Sequence, residues 1–337
     1  MPLFTILIPV CYHEHKKLLR LVAFLETFSE DFDILILDSS LHQLKVDKPE
    51  NCRQVFFDHK IELAEKLNQG IGMVRTKYSV ICADDDFINP TSVNACVNFL
   101  EHNPDYVVAH GRYISFVTEK NRFFWNERYQ TSSIEDSDPI IRVEAYFKTL
   151  EPNFYGVYRT SQHREILQLI ASSTYDPRFF EILQATIAML IGKEKKLDFL
   201  YYAREKAKRK TRLANIDSFI KRKTFDEKYY LFKEGLNTFL KSNKVLNLTN
   251  FNEQIDRIFF NFLNRLQEDS SKKSLIDRIK FELAQTKYFY NFLRFIFSMG
   301  SVYEKTMKYN LPQNADLTVM KKIKKYAFLE KKDRSKL

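Results

Sequence analysis

The chain has 337 residues with 45% apolar content, which allows one large domain or two ordinary ones and is enough for a buried core. No run of 18 apolar residues occurs, so we expect no transmembrane helix, and the first ten residues lack the basic segment and cleavage site of a signal peptide. The four cysteines form no Cys-x-x-Cys pair, which argues against a zinc site and favours buried free thiols in a reducing cytoplasm. These cysteines are Cys11, Cys52, Cys82 and Cys96.

The net charge of +10 is unevenly distributed along the chain. Residues 211–337 carry 26 Lys and Arg against 14 Asp and Glu, a net charge of +12, whereas residues 1–210 carry a net charge of −2. We therefore predict a first domain over residues 1–210 and a basic, helical domain over residues 211–337, with the boundary near 206–211. Positive charge concentrated in this way suggests that the second domain faces an anionic surface, such as lipid or nucleic acid.

The first third of the chain alternates short apolar runs with amphipathic stretches. The apolar runs predict strands at residues 3–10, 32–37, 55–57 and 78–82. Apolar residues at helical spacing predict helices at residues 14–28, 61–74 and 91–100, the last one capped by Thr91. This alternation predicts an α/β fold with a doubly wound, mainly parallel sheet.

Later segments continue the pattern and then change character. Strands are predicted at residues 106–117, 155–159 and 197–202, and helices at 139–150, 162–172 and 177–190. Beyond residue 210 glycine is nearly absent and apolar residues recur every three or four positions, which predicts an all-helical region. The clearest helices there are expected at residues 225–241, 251–267, 275–299 and 317–330.

Three adjacent aspartates, Asp84, Asp85 and Asp86, follow the predicted strand at 78–82. Their carboxylates repel one another, and a hard divalent cation would neutralise them, because Mg²⁺ and Mn²⁺ prefer oxygen ligands. Ligands of open α/β sheets bind just outside the carboxyl ends of the strands, where Asp38 should also lie. The alternative interpretation is a solvated acidic turn before a helix, which is common for a lone Asp-Asp-Asp sequence.

Several familiar catalytic motifs are missing from the sequence. Gly70 and Gly72 lie late in a helix, which disfavours a dinucleotide-binding G-x-G-x-x-G site, and no P-loop, G-x-S-x-G or H-E-x-x-H sequence occurs. His13 and His15 are more often exposed loop residues than metal ligands, and His110 is more often a core histidine than a substrate contact.

Four motifs occur in register along the first domain. They are the strand at residues 3–10, Asp38 after the second strand, residues 68–71 before the fourth strand, and residues 83–86 with Pro90 four positions later. Together they resemble the GT-A glycosyltransferases of family 2, and in particular a bacterial subgroup with an Ala-Asp-Asp-Asp-Phe sequence. That subgroup also has sequences like Gly-Arg-Tyr-Ile at 111–114 and Tyr-Tyr-Ala-Arg-Glu at 201–205. The resemblance covers residues 1–206.

The chain departs from the common family-2 pattern at three points. Residues 10–12 read Val-Cys-Tyr where Thr-Tyr-Asn is usual, and Ala83 stands where an aspartate is usual. The Gln-x-x-Arg-Trp sequence of processive synthases is absent, which argues against polysaccharide extrusion.

The resemblance implies a GT-A fold and an enzyme that transfers sugar from a nucleotide-diphosphate donor. It implies that Asp84 and Asp86 bind Mn²⁺ or Mg²⁺ as a DXD-type motif, and that Asp85 orients the donor ribose or a water. Lys66 would meet a phosphate, although a helix lysine is more often solvated. Arg204 would clamp the diphosphate, although an ion pair with Glu205 or another neighbour is as frequent.

The same resemblance implies a set of residues around the nucleotide. Asp38 would accept a hydrogen bond from the nucleobase, with Pro9 and Tyr12 lining the face of the base. The other members of the expected donor site are Val10, Glu14, Ser39 and Asn68.

An inverting transfer needs a general base to take the proton of the acceptor hydroxyl. In this fold the base is a carboxylate after the central sheet, near the start of a helix, so Glu181 is the first candidate and Asp176 the second. The alternative is that Glu181 is an ordinary acid in the first turn of a helix and that Asp176 is its N-cap. The acceptor is expected to be a glycan, a lipid-linked molecule or a protein, as in bacterial surface glycan biosynthesis.

The basic second region has three interpretations. It is a solvated helical bundle that packs on the first domain or forms a homodimer, a peripheral anchor on anionic lipid, or a nucleic-acid binder, which is disfavoured because no nucleic-acid motif is present. We expect a cytoplasmic protein. If the second interpretation holds, it docks on the inner face of the plasma membrane. Two other functions stay open: a sugar nucleotidyltransferase, which lacks its usual glycine-rich loop here, and a non-catalytic helical adaptor with a degenerate GT-A domain.

Overall fold

The computed structural model of the protein describes most of the first 206 residues and three helices beyond them. The described ranges are 2–11, 15–42, 49–119, 122–129, 131–173, 177–206, 225–243, 250–265 and 314–328. The predicted helix at 275–299 and nearly all of the predicted boundary at 206–211 lie outside these ranges. The division into two domains therefore stays a prediction.

The first half of the sheet is parallel and follows the predicted alternation. Its elements are β1 (Phe4–Val10), α1 (His15–Leu25), β2 (Phe32–Asp38), β3 (Cys52–Phe56), α2 (Leu63–Gly72) and β4 (Tyr78–Ile81). β1 pairs in parallel with β2 and β4, and β2 pairs in parallel with β3. Ile6, Leu7 and Ile8 are all completely buried, which is why these strands appear in the sequence as continuous apolar runs.

The second half of the sheet is mixed. Its elements are β5 (Phe87–Ile88), α3 (Pro90–His102), β6 (Tyr106–Glu119), β7 (Arg122–Arg128), α4 (Pro139–Thr149), β8 (Val157–Arg159), α5 (Thr160–Ser173), α6 (Pro177–Ile191) and β9 (Lys193–Glu205). The strand order is β3-β2-β1-β4-β8-β6-β9-β5, and β7 forms a hairpin with β6. β9 runs parallel to β6, whereas β8 and β5 pair antiparallel with their neighbours. The α/β class and the mostly parallel sheet are confirmed.

Three details of the prediction were wrong. Asn89, and not Thr91, is the N-cap position of α3, and Pro90 is its first helical residue. Strand β5 was not predicted; its two residues pair with β9 directly after the aspartates. β9 is also longer than the predicted strand at 197–202. Its first residues are lysines, whose charges hid the strand in the sequence.

Three helices of the basic region pack against the first region, as their apolar spacing predicted. They are α7 (Phe225–Ser242), α8 (residues 251–265) and α9 (Asn314–Ala327). Phe179 of α6 stacks on Phe259 of α8, with ring centroids 6.1 Å apart, and lies 5.9 Å from Phe232 of α7. α9 lies against α1, where Tyr326 meets Phe24 at 6.0 Å. Within the described ranges, no helix is long and apolar enough to cross a membrane.

The pairing of β6 with β9 depends on Gly111, which lies at an irregular point of their register. A Cβ atom at Gly111 would lie 2.6 Å from the Phe199 carbonyl oxygen and 2.8 Å from Tyr201 Cβ. Gly111→Ala should therefore reduce the free energy of unfolding, measured by urea denaturation, by about 1–3 kcal/mol. Gly72→Ala is the matched control, because no atom lies within 4 Å of its added Cβ, and it should be neutral or slightly stabilising. Equal effects of the two substitutions would contradict this packing.

Candidate active site

The three aspartates form a turn at the carboxyl end of β4, between the centre of the sheet and β9. We call residues 84–86 the aspartate turn. β4 is completely buried and pairs with β1 on one side and β8 on the other. Phe87, the first residue of β5, pairs with Ala203 of β9, so the turn is held between two strands. This is the edge of the sheet at which open α/β folds bind ligands.

Asp86 is the most firmly held residue of the aspartate turn. Its side chain is 2% exposed. The Tyr202 hydroxyl donates to Oδ2 at 2.9 Å, and the backbone N–H of Glu205 donates to Oδ1 at 2.9 Å. A carboxylate oxygen has two lone pairs, so each oxygen keeps one for a further partner.

Burial and mutual repulsion make the aspartate turn unfavourable when it is fully charged. Desolvation and the neighbouring charge of Asp85 raise the pKa of Asp84 to about 7 and that of Asp86 to about 8. Lys17 and Lys66 oppose the increase at Asp84, and Arg204 opposes it at Asp86. Two carboxyls, Asp86 buried and Asp84 half-buried, that hold protons near neutral pH fit a site at which a divalent cation replaces those protons.

Asp85 faces solvent and differs from its neighbours. Its side chain is 38% exposed, and one carboxylate oxygen lies 3.7 Å from the Lys17 ammonium. Its backbone carbonyl accepts a hydrogen bond from Arg20 at 2.7 Å. The side chain can therefore reach a ligand outside the sheet while its main chain stays fixed.

Arg204 and Glu181 lie close to the aspartate turn. The Glu181 side chain on α6 reaches water, yet protein surrounds it densely enough that desolvation raises its pKa, with Arg204 opposing the shift. Burial lowers the pKa of Arg204, but nearby Tyr155, Asp86 and Glu181 outweigh burial and raise it. The structure thus brings Asp86, Arg204 and Glu181 into one electrostatic group.

Lys66 is not a solvated helix lysine, so that interpretation was wrong. Its side chain is completely buried at the carboxyl ends of β1 and β2. The ammonium donates to the Val10 carbonyl at 2.7 Å, to Ser39 Oγ at 2.8 Å and to Cys11 Sγ at 3.1 Å. These bonds use all three N–H donors, so a direct phosphate contact would have to displace one of them.

Asp38 lies at the same edge of the sheet, at the end of β2, and is completely buried. Its Oδ1 accepts from the Ser40 backbone N–H at 2.9 Å and from Ser40 Oγ at 2.5 Å, and its Oδ2 accepts from Gln54 at 3.0 Å. The carboxylate therefore holds Ser40, just after β2, and Gln54 of β3. Its predicted contact with a nucleobase remains a prediction.

The other expected site residues are spread around this edge. Pro9 and Val10 end β1, and Asn68 on α2 donates to Glu65 at 3.5 Å. Tyr12, Glu14 and Asp176 lie outside the described residues, so their expected roles stay predictions. Cys11 is exposed, contrary to the expectation of buried thiols, whereas Cys52, Cys82 and Cys96 are buried, and all four thiols are free.

Four residues of the site were not assigned from the sequence: Arg20, Tyr155, Tyr202 and Glu205. Tyr202 and Arg204 alternate along β9 and so share one face, which is a signal that the sequence carries. Arg20 lies among the apolar residues of α1. Arginine is rarely buried unless it has a partner, so this position is a second signal in the sequence. Glu205 accepts from Arg20 at 3.1 Å, and the acidic neighbours whose charges act on Arg204 are Asp86 and Glu181.

The aspartate turn should make the metal-free protein less stable as the pH rises. In the folded state Asp84 and Asp86 keep their protons up to a pKa of about 7 and 8, whereas an unperturbed aspartate releases its proton near 3.8. The folded state binds more protons between these values, so the free energy of unfolding falls as the pH rises from about 4 to 8.

Asp84→Asn removes part of this effect and should raise the melting temperature at pH 8 more than at pH 4, by about 2 °C for each kcal/mol gained. Asp226→Asn, at an exposed residue of α7, serves as the control and should show no such pH-dependent gain. A wild-type melting temperature that rises steadily from pH 4 to pH 8 would contradict the raised pKa values of Asp84 and Asp86.

A metal held by protein ligands alone does not fit this site. Within the described ranges, no group of three or more His, Cys, Asp or Glu side chains is placed to hold a metal ion. Mg²⁺ and Mn²⁺ commonly use one or two carboxylates and complete their shell with water and substrate phosphates. Asp84 and Asp86 fit that second arrangement.

Comparisons with known proteins give one family match and several structural neighbours of low similarity. The family model described as "Glycosyl transferase family 2" matches residues 5–157, which span β1 to the start of β8 and include the aspartate turn. No curated protein sequence matches the chain at a significant level.

Among solved structures, the chain is similar to S. aureus TarS at low identity. The match to the TarS crystal structure has 16% identity and a TM-score of 0.49, and covers 79% of this chain and 43% of TarS. The structure of TarS 1-349 in complex with UDP-GlcNAc matches with 13% identity and a TM-score of 0.42, over 78% of this chain and 80% of that one. The chain thus spans less than half the length of the longer TarS structure.

The aspartate turn lies inside the segment that the family model matches, just after β4. The chain therefore contains, at residues 5–157, a segment that is similar to the family-2 glycosyl transferases.

Proposed function

We propose that the chain uses a divalent cation, Mn²⁺ or Mg²⁺, held by Asp84 and Asp86, to transfer a sugar from a nucleoside-diphosphate donor with inversion of configuration. One observation carries this proposal: Arg204 lies within electrostatic range of both Asp86 and Glu181 at the carboxyl edge of the sheet. A cationic side chain between the aspartate turn and a solvent-accessible carboxylate is the arrangement that a diphosphate donor and an acceptor hydroxyl need.

Donor binding in this proposal divides between the aspartate turn and Arg204. A bound cation would neutralise the two phosphates and stabilise the charge of the leaving nucleoside diphosphate. Arg204 presents a planar guanidinium to the same diphosphate, and the exposed Asp85 carboxylate lies on the solvent side, where a ribose hydroxyl or a water can donate a hydrogen bond to it. Asp86 stays fixed through Tyr202 and Glu205 during binding.

Glu181 is the proposed general base. Its side chain is exposed near the start of α6, so an acceptor hydroxyl can approach it. Desolvation raises its pKa toward neutrality, and a base works best when its pKa lies near the working pH. A single carboxylate that removes the hydroxyl proton supports direct displacement, in which the configuration at the sugar carbon inverts. Asp176 is the second candidate.

The test of this proposal is nucleoside-diphosphate release from candidate sugar donors with Mn²⁺, Mg²⁺ or chelator. We expect UDP, GDP or CDP as the product, dependence on the cation, and the opposite anomer in the glycoside. Pyrophosphate as the product would instead favour a nucleotidyltransferase. Turnover that is unchanged by chelator would remove the metal from the proposal.

The acceptor and the place of action are proposed from the basic region. Lys321, Lys324 and Lys325 are exposed on α9, and basic residues near an anionic surface contribute about 1 kcal/mol each to binding. We propose that α9 docks on anionic lipid at the inner face of the plasma membrane and brings the site to a lipid-linked or glycan acceptor.

Sedimentation with phosphatidylserine vesicles tests this docking. Wild type should co-sediment and release at high salt, and the triple Lys→Gln variant should bind at least 10-fold more weakly. Phosphatidylcholine vesicles are the control. Equal sedimentation of wild type and the variant would contradict docking through α9.

A further inference from the structure

Arg20 is a buried charge on the inner face of α1 that the proposed chemistry does not use. The residue is 2% exposed and lies between the buried Leu18 and Leu21. Burying a guanidinium costs several kcal/mol unless its partners compensate for the lost water. Its position therefore calls for a reason beyond packing.

The partners of Arg20 belong to the aspartate turn and to β9. Nη2 donates to the Asp85 backbone carbonyl at 2.7 Å and to Glu205 Oε2 at 3.1 Å. The guanidinium carbon lies 4.7 Å from the centre of the Phe87 ring, directly after the turn. One side chain of α1 thus contacts the residues on both sides of Asp86.

These contacts close a ring around Asp86. The Glu205 carboxylate accepts from Arg20, and the Glu205 backbone N–H donates to Asp86 Oδ1 at 2.9 Å. Arg20 also holds the carbonyl of Asp85, the residue that precedes Asp86 in the chain. We call Arg20 and Glu205 the clasp. The clasp joins α1, the aspartate turn and β9 through two side chains.

We propose that Arg20 is a positioning residue that presets the aspartate turn for cation and diphosphate, although it touches neither ligand. This inference rests on the proposed metal role of Asp84 and Asp86. Adjacent carboxylates tend to move apart, and the clasp fixes the main chain at Asp85 while one oxygen of Asp86 points to Glu205. Outer groups that orient metal ligands in this way typically change metal affinity 10–100-fold when removed.

The experiment measures Mn²⁺ binding to the full chain by the electron paramagnetic resonance signal of free Mn²⁺, with and without UDP, GDP or CDP. Arg20→Met should weaken Mn²⁺ binding by about 10–100-fold. Arg20→Lys, which keeps the charge, should recover part of the loss. In turnover assays of Arg20→Met, the Mn²⁺ concentration for half-maximal rate should rise. Its kcat at saturating Mn²⁺ should stay within about threefold of wild type, because in this proposal Arg20 positions the site and does not contact the reacting atoms.

Arg142 provides the matched control. It is 6% exposed on α4 and donates to the backbone carbonyls of Met189, Asp136 and Ser137, away from the aspartate turn. Arg142→Met should lower the melting temperature as Arg20→Met does, but leave Mn²⁺ affinity unchanged. Glu205→Gln alters the other residue of the clasp. Its effect on Mn²⁺ affinity should not add to that of Arg20→Met in the double variant.

The outcomes separate the two proposals. Wild-type protein that binds Mn²⁺, together with Arg20→Met protein that is folded and binds it equally well, overturns the role of Arg20 alone. Equal loss of Mn²⁺ binding in Arg142→Met and Arg20→Met also overturns it, because the loss then follows stability. Wild-type protein that binds no Mn²⁺ with any of the three nucleotides overturns the proposed function itself.

Discussion

Asp86→Asn should lower turnover by on the order of 10²–10³-fold, the range seen when one preorganised electrostatic group at a developing charge is removed. Asparagine has nearly the same shape, and its amide can still accept from the Glu205 N–H and donate to the Tyr202 hydroxyl oxygen. The fold is therefore kept while the charge is lost. The affinity for Mn²⁺ with nucleoside diphosphate, measured by calorimetry, should fall together with turnover.

Asp226→Asn is the control for this substitution, because it removes an exposed aspartate from the start of α7. It should leave nucleotide affinity and turnover at the wild-type values. Full turnover by folded Asp86→Asn protein would show that the aspartate turn does not act on the donor.

Glu181→Gln should reduce kcat by about 10²–10⁴-fold while the affinity for Mn²⁺ and nucleoside diphosphate stays unchanged. We propose that Glu181 acts on the acceptor, and glutamine keeps its size but cannot take a proton. Desolvation raises the pKa of Glu181. The midpoint of the acidic limb of the wild-type pH–rate profile should therefore lie above the ordinary glutamate pKa of 4.5. A base must be deprotonated to act, so activity should rise with pH through this limb.

Glu165→Gln, at an exposed residue of α5, is the matched control and should behave as wild type. Equal losses of kcat and of donor affinity in Glu181→Gln would place Glu181 at the donor and not at the acceptor. Retained activity would move the role of base to another carboxylate, of which Asp176 is the next to test.

The strands of the first half were predictable because both faces of the sheet are covered. Ile6, Leu7 and Ile8 are all buried, so the run has no polar alternation and its bounds are clear in the sequence. The start of β9 was not predictable for the opposite reason. Lys193 and Lys195 pair with Asp105 and Glu135 at the surface, and strands with such charges lack an apolar signal.

The candidate site was predictable only in part, because the sequence shows residue types and not tertiary partners. The three consecutive aspartates can be recognised directly in the sequence. The residues that hold them are far away in the chain, as Tyr202 and Glu205 lie 116 and 119 positions after Asp86. The burial of Lys66 was not visible in the sequence, because it depends on Val10, Cys11 and Ser39, which are distant in the chain.

The direct measurement is a crystal soaked with Mn²⁺ and a nucleoside diphosphate, with anomalous scattering used to locate the metal. We predict an anomalous peak bonded to carboxylate oxygens of Asp84 and Asp86, at about 2.1 Å, with the diphosphate on its other side next to Arg204. A peak elsewhere, or a nucleotide bound with the aspartate turn empty and turned toward water, would contradict the central claim that these aspartates hold the donor through a cation.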